Sequence, residues 1–382
     1  MIENCKGKAL IQLIDKKSFD ALVEKWGVDN WVRKLSTWEF TGALINVMLL
    51  RIDSYREMEA TLGIARSTFG DALCTKDFGF FQDLCDLVLG QIRAKTQNRK
   101  IKKALRQILA IDSTEARVHG SLFSEAGWEL KRADGHQAGV KLHVVWNIDG
   151  QWVEDFRITP VRRHDSPVSL QLLLSKNKIY VFDRAYNDFD FWLNIINVAS
   201  DFVTRLKDCA RYRYLEMKVV NQCVDQDGVL YDGEYTPTKA SSAKACQESN
   251  VHLRHIVYRD PETKRVFHFV TSDLKLKAET IASIYKQRWT VELLFRWLKG
   301  HLNIRQLQAR NKNAARVQLA VAILIKLLLQ LKKIKESLSG TLWDILRAIR
   351  ANLNRRALIT SPFPGDPHWK SAQQKHYTAC TI

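Results

Sequence analysis

Residues 285–299 read YKQRWTVELLFRWLK, and polar residues recur along this stretch at helical spacing. Five of them are separated by three, four, four and three positions: Tyr285, Arg288, Glu292, Arg296 and Lys299. This spacing places them on one face of a helix, beside an apolar stripe that should pack on a core. The polar face is either a solvated row of salt bridges or a site where a carboxylate binds metal beside cations that hold phosphates.

The net charge of the 382-residue chain is +18, and most of it lies in the last quarter of the sequence. Residues 293–382 carry 16 Lys+Arg against three Asp+Glu, so 13 of the 18 net positive charges follow Glu292. A positive field concentrated in this way indicates a polyanionic partner, most simply nucleic acid, with anionic lipid and plain solubility as alternatives. The length allows two or three domains with their own cores.

The sequence disfavours both membrane insertion and disulfide bonding. The longest apolar run, 317–331, is short for a membrane span and contains Lys326, and the chain does not start with a secretory signal. We therefore expect no membrane partner and a cytoplasmic location. Seven scattered cysteines include no Cys-x-x-Cys pair, which argues against a zinc site and favours reduced thiols.

The first 95 residues are predicted to form a helical N-terminal domain. Residues 40–50 form an apolar helix, and a capping box at Ser54–Glu57 opens a short helix that ends near Gly63. A polar, basic segment, 96–103, then marks a domain boundary.

The next short helix of this domain, 68–74, is expected to begin after Ser67 as its cap. Two short helices joined in this way resemble a helix-turn-helix, with Arg66, Ser67 and Thr68 placed where such motifs contact DNA. An ordinary helical hairpin is the alternative, because short helix pairs are common.

Two predicted strands end in an aspartate. Residues 108–111 form a continuous apolar run before Asp112, and the segment 178–182, which is apolar after Lys178, ends before Asp183, as buried strands do. Asp112-Ser-Thr could instead be a turn, and Asp183-Arg-Ala-Tyr could be a helix start. Carboxylates from neighbouring strands can share hard divalent cations through oxygen, and Glu292 would complete the set. Two metals about 4 Å apart activate the attacking oxygen and stabilise the leaving oxygen in phosphoryl transfer.

These motifs together resemble the DDE transposases of bacterial insertion sequences, in the branch marked by a Tyr-x2-Arg-x3-Glu-x6-Lys helix (insertion-sequence family four). Tyr285, Arg288, Glu292 and Lys299 match this spacing at every position. Further segments match the family's aspartate motifs and the strands between them: Asp112-Ser-Thr, Lys141-Leu-His-Val, Thr159-Pro…His164-Asp165-Ser166 and Asp183-Arg-Ala-Tyr186.

The resemblance implies an α/β, RNase H-like catalytic core, 104–201 plus 273–335, with a β-rich insertion at 202–272. Turn signals divide this insertion at 226–228, Asp232-Gly233 and Asp260-Pro261. A helical, basic C-terminal region follows the core, and 336–382 form a basic tail.

The resemblance also implies the activity, which is DNA cleavage at transposon ends and strand transfer into target DNA. Asp112, Asp183 and Glu292 would be catalytic and would ligate two Mg²⁺ ions, for which Mn²⁺ can substitute. The implied partners are double-stranded DNA, as terminal inverted repeats and target, and a second copy of the chain in a synaptic homodimer.

Three residues of the polar face would hold backbone phosphates in such an enzyme: Tyr285, Arg288 and Lys299. Arginine suits this task because it presents a bidentate fork, and lysine because it presents a mobile point charge. Arg296 lies outside the family motif, and we favour a DNA contact over a salt bridge to Glu292.

One departure from the family concerns the hairpin intermediate. Relatives stack a tryptophan of the insertion on a flipped base, whereas this chain has no tryptophan between Trp192 and Trp289. Four tyrosines could replace it: Tyr212, Tyr214, Tyr231 and Tyr235. Trp289 is expected to pack in the core.

Other residues have less specific interpretations. His143 and His164 lack partners at metal-ligand spacing, so we favour structural or supporting roles for both. Lys332 and Lys335 follow an apolar helix predicted at 317–331 and either contact DNA or are solvated. Two other functions stay open, a non-catalytic DNA-binding relic or repressor and a structure-selective RNase H-like nuclease.

Overall fold

The computed structural model of the protein describes residues 10–97, 106–122, 126–132, 135–206, 228–237, 244 and 246–359. The α-helices are α1 (Lys16–Trp26), α2 (Thr37–Leu50), α3 (Tyr55–Leu62), α4 (Arg66–Thr75), α5 (Phe78–Gln97), α6 (Asp165–Ser169), α7 (Phe189–Asn197), α8 (Ala278–Gln287), α9 (Trp289–His301), α10 (Lys312–Lys335) and α11 (Leu342–Ile359). The strands are β1 (Gln107–Val118), β2 (Glu129–Arg132), β3 (Gly135–Asn147), β4 (Trp152–Pro160), β5 (Lys178–Phe182), β6 (Asp201–Arg205), β7 (Val229–Tyr235), β8 (Leu253–Arg259) and β9 (Val266–Thr271).

These nine strands form one mixed sheet, in the order β2-β3-β1-β5-β6-β9-β8-β7, with β4 also paired to β3. β1, β5 and β6 run parallel, and antiparallel strands flank them on both sides. The sheet carries helices on both faces, which confirms the predicted α/β class.

The strand-rich segment 202–272 adds β7, β8, β9 and most of β6 to this same sheet. The turn predicted at Asp232-Gly233 is wrong, because both residues lie within β7. Asp232 is buried there and accepts hydrogen bonds from Arg254 Nε at 2.6 Å and Nη2 at 2.5 Å. Because Arg254 donates to both oxygens of the Asp232 carboxylate, this charged side chain can be buried within a strand instead of lying in a solvent-exposed turn. Residues 207–227, with Tyr212 and Tyr214, lie outside the described residues.

Helix α10 joins the N-terminal helices to the sheet. One hydrophobic core contains residues of α2, α4, α5 and α10 together with residues of β1, β3 and β4. α10 extends beyond the apolar run 317–331 and is long and apolar enough to cross a membrane. However, 89% of its most apolar 18-residue stretch is buried inside the protein. The predicted buried helix is confirmed as the central helix of a shared core.

The predicted N-terminal helices are mostly confirmed. Ser54 caps α3 by accepting from the Glu57 backbone N–H, and Gly63 ends the helix in the left-handed conformation. The prediction that Ser67 caps the next helix is wrong, because α4 begins at Arg66. The Glu59 carboxylate accepts from the Arg66 N–H at 3.4 Å, so a neighbouring helix supplies the acceptor that a capping serine would give.

The region after α10 is helical as far as Ile359, and α11 packs against α2 and α10. Lys332 is buried and donates to Glu336, and Lys335 donates to the Leu13 carbonyl at 3.0 Å. Both lysines therefore stabilise the fold instead of presenting a free cationic row. Residues 360–382 lie outside the described residues, as do residues 98–105, which hold most of the predicted linker.

Candidate active site

Asp112 and Asp183 lie side by side on parallel strands. The pairing of β1 with β5 ends at Ile111 and Phe182, one residue before each aspartate. Asp183 ends its strand as predicted and caps the one-turn helix Arg184–Tyr186. The prediction that Asp112 ends a strand is wrong, because β1 continues to Val118 through its pairing with β3. Asp112 therefore marks the point where β1 loses its parallel neighbour.

Glu292 reaches this point from α9, which packs on β1 through the apolar stripe predicted from the sequence. The predicted single helix is divided into α8 and α9 at Arg288. The Arg288 backbone N–H donates to the Tyr285 carbonyl at 3.0 Å, and its own carbonyl accepts from Val291 at 3.1 Å. This tighter turn keeps Arg288 and Glu292 on the side that faces the two aspartates.

Arg288 bridges two of the three carboxylates. Its Nη1 donates to Asp112 Oδ2 at 2.9 Å, and its Nη2 donates to Glu292 Oε1 at 2.7 Å. The Arg288 side chain is only 15% exposed, so both hydrogen bonds form in a largely desolvated place. Such charge-assisted bonds are stronger than neutral ones.

The pKa of Asp112 responds to the charges of the other two carboxylates. Burial raises the pKa of Asp112 to about 6, the Arg288 guanidinium opposes this shift, and the charges of Glu292 and Asp183 add to it. Because like charges disfavour the ionised form, a cation placed among these groups would stabilise their ionised state.

The donor set is suited to a hard divalent cation, because carboxylate oxygens are the preferred ligands of Mg²⁺. Among the described residues, no group of three His, Cys, Asp or Glu side chains is already arranged to hold a metal ion. In the described residues the Arg288 guanidinium takes one oxygen from Asp112 and one from Glu292. The residues fit the metal by chemistry, and the guanidinium supplies the local positive charge.

Tyr285 also lies at this site. Its ring packs against Phe269 with centroids 4.9 Å apart, and the Arg288 guanidinium lies 5.9 Å from its centroid. Burial raises the pKa of the Tyr285 hydroxyl, and the charge of Asp183 raises it further. The structure thus brings Tyr285, Arg288 and the three carboxylates together.

Lys299 and Arg296 lie further along α9. Burial lowers the pKa of Lys299, with Glu115 opposing this shift and Arg305 adding to it, so Lys299 lies beside the later part of β1. Arg296 is exposed, and the ion-pair partner of Glu292 is Arg288 instead. Among the described residues, Glu292 therefore forms its salt bridge with Arg288 and not with Arg296.

A cavity of about 670 Å³ opens beside Asp183, between α8 and strands β8 and β9. Aromatic side chains line much of it: Tyr258, Phe267, Phe269, Tyr285 and Trp289. The prediction that Trp289 packs in the core is wrong, because its side chain is 51% exposed at the cavity. Tyr258 and Phe267 were missed by the sequence analysis, since their exposure here depends on how α8 packs across two distant strands. Tyr231 and Tyr235, on β7, are not among the lining residues.

Arg66 and Ser67 lie at a different place, in a groove of about 810 Å³ between α3, α4 and the loop that follows α9. Arg56, Arg310 and His119 line the same groove. Arg66 is 58% exposed and lies 3.9 Å from Glu59. Thr68 is half-buried on α4 and is not a lining residue.

This groove is fixed to the end of β1. The Arg117 N–H donates to the Arg305 carbonyl at 2.9 Å, and the Leu307 N–H donates back to the Arg117 carbonyl at 2.8 Å. Tyr55 Oη donates to the Gln308 carbonyl at 3.2 Å, which ties α3 to the same loop. The groove and the carboxylate site thus share one rigid strand.

Comparisons with known proteins assign the chain to a family. Residues 103–328 match the family model described as "Transposase DDE domain", and residues 8–68 match a "Domain of unknown function (DUF4372)". The chain is 30% identical over 322 residues to "Putative transposase y4zB" of Sinorhizobium fredii, covering 82% of this chain and 85% of that protein. It is 30% identical over 251 residues to "Probable transposase for insertion sequence element IS5377" of Geobacillus stearothermophilus, covering 65% of this chain and 63% of that protein.

A solved structure supports the fold class. The "Cryo-EM structure of piggyBac transposase synaptic complex with hairpin DNA (SNHP)" superposes with a TM-score of 0.53 at 10% identity, covering 95% of this chain and 83% of that one. The RNase H-like fold and the matching domain model define a polynucleotidyl transferase and endonuclease. The chain belongs to the DDE transposase family, as its resemblance to transposases of insertion sequences predicted.

Proposed function

We propose that this transposase performs cut-and-paste transposition with Asp112, Asp183 and Glu292 as its catalytic carboxylates. The observation that carries this assignment is the placement of Asp112 and Asp183 at the shared end of the β1–β5 pairing, with Glu292 joined to Asp112 through Arg288. Carboxylates placed in this way could hold two Mg²⁺ ions, or Mn²⁺ in their place. Asp112, Asp183 and Glu292 would hold the metal, which would supply activation of the attacking oxygen of water or of a DNA 3′-hydroxyl.

The chain's own groups then bind and orient the DNA strand. Arg288 is buried beside the carboxylates and can transfer its two donors from carboxylate to phosphate oxygen, since the same fork geometry suits both. Tyr285 borders the same place. Lys299, beside Glu115, would hold a phosphate further along the strand, and exposed Arg296 is placed to contact DNA beyond it.

Terminal inverted repeats would bind along the groove between α3, α4 and the loop after α9, contacting Arg66 and Ser67, with Thr68 at the groove's border on α4. The groove lies at the end of β1, six residues beyond Asp112, or about 20 Å at the rise of a strand. A duplex spans this distance in about six base pairs. A single DNA end could therefore contact both places.

The aromatic cavity beside Asp183 would receive an unpaired base if the flanking ends pass through a hairpin. An aromatic face is sufficient for stacking, and Phe267 and Trp289 offer such faces next to the basic side chains of Arg184 and Lys286. The two ends would be brought together by a homodimer in the cytoplasm, where the chain acts on chromosomal and target DNA.

Cleavage of a defined DNA end tests this function. Purified protein, Mg²⁺ and DNA carrying the element's terminal repeats should give nicks, and Asp112→Ala, Asp183→Ala or Glu292→Ala should abolish them. Asp149→Ala, at an exposed turn, is the matched control and should cut like wild type. Binding without nicking by the wild type would favour the repressor alternative, and nicking without joined products in a target plasmid would favour a nuclease.

A further inference from the structure

A cluster of buried and half-buried polar side chains lies on the face of the sheet opposite Glu292. This cluster, called here the His143 cluster, consists of Ser113, His143, Thr159, Asp165 and Tyr186. His143 is completely buried, with Nε2 2.9 Å from Thr159 Oγ1 and Nδ1 3.2 Å from Tyr186 Oη. Its Nδ1 is also 3.4 Å from Asp165 Oδ1. These are the segments that matched the family between its two aspartates, and the catalytic assignment does not use them.

The cluster joins the chain beside one catalytic aspartate to the chain beside the other. Ser113 Oγ donates to Asp165 Oδ1 at 3.1 Å, and the Ser113 backbone N–H donates to Asp112 Oδ1 at 2.8 Å. On the other side, the Tyr186 N–H donates to the Asp183 carbonyl at 3.0 Å. A path of close polar contacts thus runs from Asp112 through Ser113, Asp165, His143 and Tyr186 to Asp183, and its step from Asp165 to His143 is a 3.4 Å approach of Oδ1 to Nδ1.

Strand pairing alone does not make this connection. The backbone ladder between β1 and β5 ends at Ile111 and Phe182, so each aspartate lies just beyond it. Ser113 and His143 are direct partners across the β1–β3 pair, which points both side chains to the cluster. The side-chain cluster continues the link between the two segments where the backbone link stops.

The charges within the cluster are balanced without an ion pair from the histidine. Lys141 Nζ lies 3.3 Å from Asp165 Oδ1 and donates to the Arg163 carbonyl at 3.2 Å. Burial lowers the pKa of His143 to about 4, so the imidazole is neutral near pH 7 and offers one donor and one acceptor. A buried network in which every member has a partner is rigid, and replacing any member leaves another group unsatisfied.

We propose that His143 and Asp165 are positioning residues of the transposase, which fix Asp112 relative to Asp183 through Ser113 and Tyr186. The inference rests on the proposed roles of the two aspartates. Groups that orient metal ligands from behind typically change metal affinity about 10- to 100-fold when they are removed. The cluster contacts neither DNA nor metal in this scheme, so its effect should appear in metal affinity and kcat and not in DNA binding.

The test measures Mn²⁺ affinity by calorimetry on the metal-free protein, together with kcat and KM for cleavage of end DNA. Asp165→Asn and His143→Gln should weaken Mn²⁺ binding about 10- to 100-fold and lower kcat, while KM for DNA stays unchanged. Asp232→Asn removes a buried carboxylate charge at the far edge of the sheet and serves as the control for lost stability. Asp232→Asn should leave Mn²⁺ affinity and kcat at wild-type values even if its Tm falls as much as the Tm of Asp165→Asn or His143→Gln.

If Asp165→Asn or His143→Gln does not fold, a second pair of variants tests the same positioning role. Ser113→Ala removes the hydroxyl that contacts Asp165, whereas Ser113→Thr retains it, so the threonine variant should recover most of the Mn²⁺ affinity that alanine loses. Equal Mn²⁺ affinity in wild type, Ser113→Ala and Asp165→Asn would overturn the positioning role. A wild type that binds Mn²⁺ but does not cut DNA would contradict the proposed function alone, because the comparison of Mn²⁺ affinities still decides the positioning role.

Discussion

Arg288 and Asp112 are 176 residues apart in the chain and form a hydrogen bond of 2.9 Å at the centre of the carboxylate site. The same guanidinium holds Glu292, so one buried cation neutralises part of the charge of two of the three carboxylates. The negative charge of the site is thus already balanced in part by a side chain of the protein itself. Binding of metal or of a DNA phosphate must compete with these two hydrogen bonds.

The raised pKa of Asp112 predicts a pH dependence of stability in metal-free buffer. Because the folded-state pKa is about 6 and the unfolded value is near 3.9, the folded protein binds more protons between these pH values. The free energy of unfolding should therefore fall as pH rises from about 4 to above 6, by about 3 kcal/mol from this group.

Asp112→Asn isolates this contribution. In urea titrations with chelator, the variant and the wild type should be equally stable near pH 4, and the variant should be more stable at pH 7. A wild type that is the more stable of the two at pH 7 would show that the Arg288 contact outweighs burial.

Lys326 offers a second pH-dependent prediction. It is buried in α10 between the rings of Trp146 and Trp297, 5.4 and 5.2 Å from their centroids, and burial lowers its pKa to about 7. Lys326→Met should stabilise the protein at pH 6 by about 1–3 kcal/mol, because a buried charge is replaced by an apolar chain of similar size. The cation–π contacts reduce this gain.

The gain from Lys326→Met should shrink as pH rises from 7 towards 10. In that range the unfolded chain binds the proton that the folded lysine has lost, so the wild type becomes more stable with pH. Denaturant unfolding at pH 6 and pH 9 measures the difference. A gain that grows with pH would contradict the depressed pKa.

The buried pair of Asp232 and Arg254 should be essential to the far edge of the sheet. Asp232→Ala leaves the guanidinium of a 6% exposed arginine without its main carboxylate, which typically costs about 3–5 kcal/mol. Thermal unfolding should show a large drop in Tm. Glu262→Ala, at an exposed turn of the neighbouring hairpin, is the control and should change Tm little.

DNA affinity should depend on the groove between α3 and α4. Arg66→Ala and Arg310→Ala should each weaken binding to end DNA and reduce the slope of log affinity against log salt by about 0.9 if each contacts one phosphate. Lys176→Ala is a suitable control, since Lys176 is exposed before β5, at the strand end opposite Asp183. Unchanged slopes of log affinity against log salt in both arginine variants would show that the groove does not bind DNA.

The aromatic cavity should affect hairpin formation more than the first nick. Phe267→Ala and Trp289→Ala remove stacking faces worth about 1–3 kcal/mol each, so hairpin yield should fall at least several-fold while nicking persists. Trp31→Ala, which changes a 98% exposed tryptophan on the N-terminal region, should leave both steps unchanged. Gel analysis of denatured products separates the nicked strand from the hairpin.

The sequence predicted the members of the site better than their contacts. The candidate residues Asp112, Asp183 and Glu292 could be predicted because apolar runs and helical spacing are local patterns. The bond between Arg288 and Asp112 could not, since it depends on a tight turn at Arg288, where the sequence has neither Pro nor Gly. Asp232-Gly233 was misassigned for a similar reason, because the dipeptide favours a turn and only Arg254, 22 residues away, makes a buried strand favourable.

The aromatic cavity shows the same limit at longer range. Tyr258 and Phe267 are ordinary residues of strands, and their role as a lining appears only when α8 packs across β8 and β9. By contrast, α10 was predicted as a buried helix from composition alone, because a long apolar run needs no partner to be recognised.

The burial of α10 on two sides limits how this element can evolve. A shorter product that begins after α5 would expose the side of α10 that now packs on the N-terminal helices, leaving a large apolar surface prone to aggregation. The groove between α3 and α4 and the carboxylate site therefore cannot be exchanged between transposons as separate modules. If the groove binds the transposon ends as proposed, a change in the end sequence recognised would arise by substitution within an intact chain.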